Sequence, residues 1–387
     1  MIDLNEKKVC CGCGACAQSC PKGCIRMLPD DEGFLYPQVD ESSCIHCGIC
    51  EKICPFKNTF DEQRAVNTYA VINGDESIRL TSSSGGVFAA LAQQFLKRNG
   101  VIFGACFDED FQVSLSYVEN EASLHIFKGS KYVQARVGDC YVQCRKFLND
   151  NREVLFSGTP CQISGLKHFL KKDYDNLYTV DVVCHGSPSP LVWKKYLEEC
   201  LKQKPELFPI NNISFRDKRN GWKGFSLTIE GRNSVFSTPY KNNPYMRAFL
   251  WDLILRPSCY ECKAKAGTSH ADLTLGDFWG IDRIIPSIDD NKGVSLVVVN
   301  SKKGGRLLES ARELNVFKVN YDDAAYYNPA IIQSVKPHPK RNLFFKKIHD
   351  EECLEELVLK CLKPSFAEQF MSVLKKVYHK FLKGPRK

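Results

Sequence analysis

Two groups of four cysteines near the start of the chain have the residue type and the spacing that bind iron. The first group follows the pattern C-x2-C-x2-C-x3-C-P, and the second repeats it without a deviation. The residues are Cys10, Cys13, Cys16 and Cys20, followed by Pro21, and Cys44, Cys47, Cys50 and Cys54, followed by Pro55. Three thiolates on one tight loop can bind three corners of a cubane, while the fourth cysteine leaves on a helix toward a neighbouring cluster. The spacing therefore predicts two 4Fe-4S clusters.

The fourth cysteine of each group is expected to cross over to the other cluster. Cluster one is expected to use Cys10, Cys13, Cys16 and Cys54, and cluster two Cys44, Cys47, Cys50 and Cys20. A pair of structural zinc sites is the alternative, but zinc needs four ligands and no third cysteine on each loop. Two complete quartets followed by prolines favour iron–sulfur clusters. Cys11 and Cys24 lie outside the pattern and are expected to be small apolar bystanders.

Four further cysteines lie in polar, turn-rich segments later in the chain. They are Cys161, Cys184, Cys259 and Cys262. The first two follow predicted strands, and sites in α/β sheets are built at the carboxyl ends of strands. The other two form a C-x-x-C pair that would complete a quartet. Spacing alone leaves three interpretations open: a third iron–sulfur site, a zinc site, or scattered core cysteines.

The other cysteines of the chain fall within predicted strands or helices. They are Cys106, Cys140, Cys144, Cys200, Cys353 and Cys361. Burial is the ordinary explanation for cysteines in such positions.

The elements that must position these cysteines divide the chain into three parts. Residues 1–60 contain a predicted hairpin from Ile25 to Val39 and too few apolar residues to fold without metal, as in an α+β two-cluster ferredoxin-like module of the bacterial type. The polar stretch 57–64 is the expected domain boundary. Residues 65–340 alternate strand-like and helix-like segments, which predicts an α/β domain with a mixed sheet. Residues 341–387 are predicted to form a helical, basic tail.

Hydrophobic periodicity gives the expected elements of the second part. The predicted strands are Thr68–Ile72, Val101–Phe107, Val154–Ser157, Tyr178–Val183, Phe225–Glu230, Leu273–Leu275 and Ser295–Asn300. The predicted helices are Gly86–Arg98, Val137–Leu148, Cys161–Leu170, Leu191–Gln203 and Arg306–Leu314. In the tail, apolar residues from Phe366 to Leu382 recur at spacings of three and four, which predicts an amphipathic helix. That helix would pack on the main domain or a partner, or contact a membrane surface.

The composition is typical of a folded protein in a reducing compartment. Of 387 residues, 43% are hydrophobic and 25% charged, close to the averages for soluble globular proteins. Twenty cysteines in a long chain with a polar, charged start argue against a secreted disulfide scaffold, so a cytoplasmic location is expected. The absence of an apolar run of eighteen residues predicts no transmembrane segment. The net charge of +8 does not by itself choose among partners, and no nucleic-acid partner is expected.

Two glycine-containing segments have features of a phosphate site. Ser83, Ser84, Gly85 and Gly86 open a predicted helix, where hydroxyls and N–H groups at a positive helix end suit a pyrophosphate. An ordinary helix N-cap is the alternative. The segment 128–134 precedes another predicted helix, and its two lysines would neutralise phosphate charge.

A third segment combines an acid with aromatic residues beside a turn. Asp277, Phe278 and Trp279 follow a predicted strand. An isoalloxazine ring would stack against these aromatic side chains. A packed turn without a ligand is the alternative.

Taken together, the segments of the α/β domain resemble those of a known family. The motifs are Ser82–Gly86, Lys128–Gln134, Gly158–Gln162, Cys184–Gly186 and Ala271–Gly280. They are similar to the flavin-binding beta subunits of coenzyme F420 (deazaflavin) hydrogenases and dehydrogenases, and to hydroxymethyl-chlorophyll reductase. The resemblance implies FAD and one 4Fe-4S cluster in this domain, with Cys161, Cys184, Cys259 and Cys262 as the preferred ligands. The implied flavin-binding residues are Ser83, Ser84, Gly85, Gly86, Lys128, Ser130, Tyr132, Gln134 and Asp277.

These features predict a ferredoxin-linked flavoprotein oxidoreductase. An electron donor such as reduced ferredoxin would supply the N-terminal clusters, and FAD would combine single electrons for a small-molecule acceptor. His185 is the candidate catalytic proton donor, although a histidine satisfied by hydrogen bonds is the alternative. Two other functions stay open: a non-catalytic electron-relay subunit, for example one linked to polysaccharide biosynthesis, and a regulatory or scaffold protein with structural zinc. The motifs identify neither the acceptor nor the use of a deazaflavin.

Overall fold

The computed structural model describes residues 2–351 and 353–363 of the chain. Within these residues, no helix combines the length and the apolar character that crossing a membrane requires. The amphipathic helix predicted between Phe366 and Leu382, and the basic residues of 375–387, lie outside the described residues.

The N-terminal module consists of two short helices and one hairpin. Helix α1 is Ala15–Ser19 and helix α2 is Ile49–Lys52. Each follows a glycine in the left-handed region, where Gly14 and Gly48 have φ values of 72° and 71°, so each cysteine loop turns sharply before its helix. Strands β1 (Ile25–Pro29) and β2 (Leu35–Val39) pair antiparallel. The predicted hairpin is confirmed.

The rest of the described chain contains eleven further strands in two sheets. They are β3 Asn67–Asn73, β4 Val101–Phe107, β5 Val113–Val118, β6 Val154–Gly158, β7 Leu177–Val182, β8 Ile210–Asp217, β9 Ser226–Gly231, β10 Val235–Pro239, β11 Leu273–Asp277, β12 Ser295–Val299 and β13 Leu314–Val319. Eight form one sheet in the order β13-β3-β12-β11-β7-β6-β4-β5, and β10-β9-β8 form a second sheet. Strands β4, β6, β7 and β11 run parallel, whereas the flanking pairs are antiparallel. The predicted mixed sheet is confirmed.

Eleven further α-helices are described. They are α3 Glu76–Thr81, α4 Val87–Lys97, α5 Cys140–Asn149, α6 Pro160–Leu170, α7 Pro190–Gln203, α8 Pro244–Leu250, α9 Ile281–Ile284, α10 Lys302–Ser310, α11 Tyr321–Tyr327, α12 Arg341–Lys347 and α13 Leu354–Leu362. Short 3-10 helices lie at Lys7–Val9, Glu121–Phe127, Pro205–Leu207, Pro257–Glu261, Pro286–Ile288 and Pro329–Ile331. Helix α6 begins with a proline behind a Thr159 and Gln162 capping box, which fixes its start directly after β6.

The large sheet is covered on both faces. Helices α4 and α10 bury Leu91, Phe95 and Leu307 against one face. Helices α5 and α6 bury Tyr141 and Leu166 against the other. A sheet whose central strands are parallel needs both covers, because its strands are apolar on both sides.

The N-terminal module packs onto the α5 and α6 side of the sheet. Ile53 and Phe56 share an apolar cluster with the buried residues of these helices. The Oε1 atom of Gln18 accepts hydrogen bonds of 3.0 and 3.2 Å from the backbone N–H groups of Tyr141 and Val142. These are first-turn donors of α5 that have no partner within the helix. The module is therefore joined to the α/β domain by apolar packing and by directed hydrogen bonds.

One predicted helix is wrong in its second half. The segment Arg306–Leu314 was expected to be helical, but α10 ends at Ser310 and Leu314 begins β13. Strand β13 pairs antiparallel with β3, a strand from the opposite end of the domain, and local periodicity carries no signal of that pairing. Residues 341–363 contain helices α12 and α13, and Phe344, Leu357 and Val358 of these helices are buried in a large apolar cluster with α7 and α8.

Candidate functional site

The ligands predicted for cluster one lie together in the module. Burial, followed by the charges of Cys10 and Cys54, raises the pKa of the Cys16 thiol to about 12. The Cys13 thiol is also buried, and the charges of Cys16 and Cys54 act on it as well. Cys54 comes from the second cysteine group, so the structure brings it to the first group as the crossover requires. Buried thiolates need a neighbouring positive charge, which iron would supply.

The ligands predicted for cluster two line a pocket of about 350 Å³. They are Cys20, Cys44, Cys47 and Cys50. Cys47 is exposed to solvent. Cys24 lines the same pocket, with its sulfur 3.3 Å from that of Cys20. Cys24 was expected to be a bystander, but its position makes it an alternative donor to this site.

A third group of thiols forms at the end of the large sheet. Cys161 lies in the first turn of α6, Cys184 follows β7, and Cys259 and Cys262 lie in and directly after a 3-10 helix. The Cys184 thiol interacts with the other three, and burial, the largest cause, raises its pKa. Burial also raises the pKa of Cys259 to about 12 and that of Cys262 to about 11. These are the four cysteines that the family resemblance implied as ligands.

Backbone N–H groups point at two sulfurs of this third group. The N–H of Ser187 donates to Cys259 Sγ at 3.3 Å, and that of Ala264 donates to Cys262 Sγ at 3.4 Å. Such hydrogen bonds stabilise negative charge on cluster sulfurs and orient the ligands. The donor set of four thiols therefore fits an iron–sulfur cluster.

The three cysteine groups do not have the geometry of single-ion sites. Across residues 2–351 and 353–363, no three His, Cys, Asp or Glu side chains converge closely enough to hold one metal ion. A cubane attaches each thiolate to a different iron atom, and it therefore needs its cysteines around a larger volume than one zinc ion does.

Cys11 connects the first and third groups, a role that the cysteine spacing did not indicate. Its thiol is buried and interacts with both Cys13 and Cys161 within one apolar cluster. A close approach of the two segments makes this possible, since a Cβ at Gly165 of α6 would lie 3.0 Å from the Cys13 sulfur. The module and the α/β domain thus meet at their cysteines.

Several predicted flavin-binding residues converge around a buried arginine. Ser130 donates through its N–H and Oγ to Ser83 Oγ, at 2.7 and 3.0 Å. Tyr132 is half-buried; desolvation raises its pKa, and it interacts with Ser130, Arg216 and Asp277. Segments that are distant in sequence therefore form one polar cluster.

Arg216 is the centre of this cluster, and sequence reasoning missed it. Its side chain is 3% exposed, and its Nη2 lies 2.8 Å from Asp277 Oδ2. The guanidinium stacks on Phe225, with Cζ 3.9 Å from the ring centroid. Among the described residues, Nε has no hydrogen-bond partner, and Nη2 has only its ion pair with Asp277, which lies outside hydrogen-bond geometry. A buried donor without an acceptor is costly, so Nε suits an anionic or carbonyl oxygen of a bound ligand.

An aromatic pair closes one side of the Arg216 cluster. Trp222 and Trp279 stack with centroids 4.9 Å apart and planes 3° apart. Trp222 Nε1 donates to Asp277 at 3.0 Å. Asp277 is therefore held between Arg216 and Trp222, and Trp279 is 37% exposed.

A second cation, the half-buried Lys218, lies beside the serine segment. Its Nζ donates to the carbonyl oxygens of Arg79, Ser84 and Lys292, at 2.9, 2.6 and 2.7 Å. Burial lowers its pKa to about 7. Burial likewise lowers the pKa of Lys131 to about 8. Local sequence gave no sign that Lys218 would reach Ser84.

Gly85 and Gly86 pack closely against neighbouring residues of the α/β domain. The N–H of Gly85 donates to Ser295 Oγ at 2.9 Å, and a Cβ there would lie 2.3 Å from the carbonyl oxygen of Val71. Gly86 precedes α4 with φ 86°. Close packing of α4 onto the sheet accounts for both glycines without a ligand. Ser84 Oγ donates to the carbonyl of Val294 at 2.8 Å.

Two other predicted flavin-binding residues lie apart from the Arg216 cluster or face solvent. Gln134 is buried and donates through Nε2 to the carbonyl oxygen of Cys11 at 3.3 Å. It therefore belongs to the contact between the module and the α/β domain. Lys128 is exposed.

His185 lies between the third cysteine group and the Arg216 cluster. Its Nε2 is 2.7 Å from Asp252 Oδ1. Its ring packs edge-on against Phe249, and Phe249 stacks on Tyr132 with centroids 4.8 Å apart. The carboxylate orients the ring. This arrangement fits both the predicted proton donor and the alternative of a hydrogen-bonded structural histidine.

Two family models match separate parts of the chain. The family described as a 4Fe-4S dicluster domain matches residues 9–58. The family formed by the C terminus of the beta subunit in coenzyme F420 hydrogenase/dehydrogenase matches residues 151–324. The second match contains all four cysteines of the third group.

Individual relatives match each part. The F subunit of F(420)H(2) dehydrogenase from Methanosarcina mazei is 22% identical over 171 residues, which cover 42% of this chain and 49% of that protein. Coenzyme F420-dependent sulfite reductase of Methanocaldococcus jannaschii is 26% identical over 202 residues, covering 50% and 30%. A ferredoxin of Mycolicibacterium smegmatis is 31% identical over 87 residues, covering 22% and 71%. The chain thus spans about half or less of the first two relatives.

Among solved structures, the chain matches a chain of the F420-reducing NiFe hydrogenase complex from Methanosarcina barkeri. The TM-score is 0.45 at 16% sequence identity, and the match covers 84% of this chain and 97% of that one.

Proposed function

The chain carries a 4Fe-4S dicluster domain and a C-terminal domain of the family of coenzyme F420 hydrogenase/dehydrogenase beta subunits, and we propose that it is an iron–sulfur flavoprotein oxidoreductase. In this proposal, electrons from a donor such as reduced ferredoxin reach a small-molecule acceptor through three 4Fe-4S clusters and FAD. The family matches support the general statement that this is a redox protein with a ferredoxin-type domain. The third cluster, FAD and the acceptor are the parts that we propose.

The observation that carries the proposal is the contact between cysteine groups. Cys11 touches Cys13 of the first group and Cys161 of the third. Electron transfer between the groups would therefore cross packed protein atoms and no solvent layer. Exposed Cys47 at the second group supports entry of electrons at that end of the module.

The partial burial of the third cysteine group supports a cluster ligated by Cys161, Cys184, Cys259 and Cys262. Free thiols in such a position stay protonated, since burial raises the pKa of each described above. Iron binding would let all four ionise, and the N–H groups of Ser187 and Ala264 would hold two of the sulfurs in place.

The Arg216 cluster is the proposed site for FAD. Arg216 would donate to an oxygen of the cofactor, with Ser83, Ser130 and Tyr132 as neighbouring polar contacts and Trp279 as an aromatic wall. A flavin exchanges electrons singly with iron–sulfur clusters and in pairs with organic substrates. The phosphate end of the cofactor would lie toward Lys128 and the Ser84 segment.

His185 and Asp252 are the proposed proton-handling pair. Asp252 accepts a hydrogen bond from the His185 ring and so fixes its orientation. Phe249 and Tyr132 fill the space between this pair and Arg216, and they would exclude water from it. A proton held at His185 would be available beside both the third cysteine group and the flavin site.

A non-catalytic electron-relay subunit is the second candidate function. The observation that favours it is the similarity to the F subunit of F(420)H(2) dehydrogenase, which by its name is one part of a larger protein. A relay subunit would bind no acceptor of its own. Turnover by the purified chain with any small molecule would therefore separate the two candidates.

Anaerobic purification followed by cofactor analysis tests the proposal. We expect about twelve irons and as many acid-labile sulfides per chain, together with one FAD and an ultraviolet-visible spectrum of both cofactors. A screen of acceptors with reduced ferredoxin as donor would then give the reaction. Two zinc ions and no sulfide per chain would contradict the clusters, and failure to retain FAD supplied in excess would contradict the flavin.

A further inference from the structure

Arg256 is buried at the junction of the module and the α/β domain. The residue is only 1% exposed to solvent. Nε donates to the carbonyl oxygen of Cys10 at 2.8 Å, Nη1 to Gln134 Oε1 at 3.1 Å and Nη2 to the carbonyl oxygen of Leu35 at 3.0 Å. All three contacts are neutral oxygens, so they satisfy the donors without cancelling the charge.

The other buried arginines of the described chain differ in this respect. Arg79, Arg216 and Arg341 form ion pairs with Asp290, Asp277 and Glu32. No carboxylate forms an ion pair with Arg256 among residues 2–351 and 353–363, and its guanidinium instead lies 4.1 Å from the ring centroid of Tyr36. A buried charge without a counter-charge is strongly unfavourable. Something anionic must therefore lie close to Arg256 in the working protein.

The groups that face Arg256 are cysteines from two of the proposed clusters. The guanidinium donates to the backbone of Cys10, as described above. The backbone carbonyl of Arg256 accepts a hydrogen bond of 2.9 Å from the N–H of Cys259, and its own N–H donates to Ser187, next to the Cys184–Gly186 segment, also at 2.9 Å. Cys161 packs against the apolar cluster that contains Cys11 and Cys13 of the cluster-one loop. Cys10 belongs to cluster one, whereas Cys161 and Cys259 belong to the third group. The guanidinium thus lies between both sets of ligands.

The cysteine loop of cluster one is shaped around this guanidinium. A Cβ at Gly12 would lie 2.9 Å from Nη1 of Arg256 and 2.8 Å from Nε2 of Gln134. Gly12 also has a φ of 72°, which side chains rarely adopt. Only glycine allows the loop to approach the arginine so closely.

We propose that Arg256 is the shared counter-charge of cluster one and the third cluster and raises the reduction potentials of both. Each reduction adds one electron and therefore one negative charge to a cluster. A fixed cation nearby favours the more negative, reduced form by Coulomb attraction. Arg256 would thereby keep the two clusters that it touches easier to reduce than they would be without it. The inference for the third cluster rests on the proposed function, whereas that for cluster one needs only the N-terminal clusters.

The test is a redox titration of the full-length, cluster-loaded protein, followed by electron paramagnetic resonance. Arg256→Met removes the charge and keeps an unbranched side chain, and Arg256→Lys keeps the charge. For Arg256→Met we expect the ratio of reduced to oxidised cluster to fall about tenfold at a given potential, both for cluster one and for the third cluster. This change corresponds to midpoint potentials that are about 59 mV more negative. Cluster two should be unchanged. Arg256→Lys should retain most of the wild-type potentials.

A matched control separates the charge effect from loosening of the module. Arg341→Met removes a buried arginine that also joins the two domains, but its charge is already paired with Glu32. It should leave all midpoints unchanged. The proposal is overturned if Arg256→Met retains the wild-type iron content and midpoints, or if Arg341→Met shifts them equally. The iron content of the wild-type protein is measured first. If the third cluster is missing, the proposed function fails, but the midpoint potential of cluster one still tests the role of Arg256.

Discussion

The thiols of Cys11 and Cys161 interact within one apolar cluster, although one belongs to the N-terminal module and the other to helix α6. Cys161 is a proposed ligand of the third cluster, and Cys11 directly follows Cys10, a proposed ligand of cluster one. The contact therefore places the first and third cysteine groups in series, and it makes the third group the decisive one to test.

The first prediction concerns the ligands of the third group. Serine is nearly isosteric with cysteine but is a much poorer ligand for iron, so Cys259→Ser or Cys161→Ser should remove about four of roughly twelve irons. Flavin reduction by reduced ferredoxin should slow, whereas direct chemical reduction of the flavin should be less affected. Iron analysis and stopped-flow absorbance measure both effects.

Cys140 and Cys144 provide the matched control for this prediction. Both are buried on α5, and Cys→Ser at either position should change neither iron content nor rate. If Cys140→Ser lost a cluster while Cys259→Ser kept all three, the ligand assignment would be wrong.

The second prediction tests the crossover in the module. Cys54 lies with Cys10, Cys13 and Cys16, so Cys54→Ser should remove cluster one and leave cluster two. The magnetic interaction between the two reduced clusters should disappear from the paramagnetic resonance spectrum, and iron content should fall by about four. Loss of cluster two, with cluster one intact, would show that the groups do not cross over.

Cys20→Ser is a weaker test of the same crossover. The sulfur of Cys24 lies 3.3 Å from that of Cys20 and is positioned to replace it as a ligand. We therefore expect Cys20→Ser to keep part of cluster two, and Cys20→Ser combined with Cys24→Ser to lose it.

Local patterns in the sequence were sufficient for the parts of this protein that are local in the chain. The cysteine spacings identified both N-terminal groups because each loop supplies three ligands within a few residues. Strands such as β6 and β7 and helices such as α4 and α6 were found because their own apolar pattern specifies them. The order of the sheet was not predicted.

Contacts between distant segments were the part that could not be predicted. Arg216 and Arg256 carry no local motif, and their importance comes from burial beside residues of other elements. The end of the predicted helix at Leu314 was wrong because pairing with β3 overrides local preference. The glycines of the Ser82–Gly86 segment looked like a phosphate loop, but the packing contacts of Gly85 also explain them.

The third prediction addresses the flavin site through Arg216. Arg216→Met removes a buried guanidinium whose Nε lacks a hydrogen-bond partner among the described residues, and it should weaken FAD binding. Hydrogen bonds to charged groups contribute about 1.5–3 kcal/mol, so the Kd should rise roughly ten- to hundredfold. Flavin fluorescence titration of the deflavinated protein measures the change.

Arg219 gives the control for the flavin prediction. It follows β8 closely in the chain, and its partly exposed side chain is ion-paired with Asp217. Arg219→Met should bind FAD like the wild type. Equal affinity of the Arg216→Met and wild-type proteins would remove Arg216 from the site. Gly85 is a poor alternative probe, because any side chain there would meet backbone atoms.

The fourth prediction concerns Asp181, a buried acid on β7 near the third cysteine group. It is 2% exposed, and burial raises its pKa from 3.8 to about 6, although a hydrogen bond from Ser269 and the charge of Lys265 oppose the rise. Its Oδ1 has no hydrogen-bond partner among the described residues. The ionised carboxylate is therefore poorly compensated.

The sign of the pH effect follows from that raised pKa. The folded protein binds the Asp181 proton more tightly than the unfolded chain does. The resulting stabilisation is complete below pH 3.8 and is lost as the pH rises through about 6. The loss is at most about 3 kcal/mol, since each unit of pKa shift corresponds to about 1.4 kcal/mol.

Asp181→Asn removes the ionisation and keeps an oxygen that can accept from Ser269. The variant should therefore gain stability relative to the wild type as the pH is raised from 4.5 to 7.5, by about 1 to 2 kcal/mol. The melting temperatures of both proteins, measured anaerobically at the two pH values, report the change. Asp290 gives the control, because its hydrogen bonds and ion pair with Arg79 lower its pKa below 3.8 against the effect of burial. The stabilisation by Asp290 is therefore already present above pH 3.8 and is lost only at lower pH, so Asp290→Asn should be destabilised by nearly the same amount at pH 4.5 and pH 7.5. A melting-temperature difference for Asp181→Asn that is likewise the same at both pH values would show that Asp181 is not the buried, costly carboxylate inferred from its position.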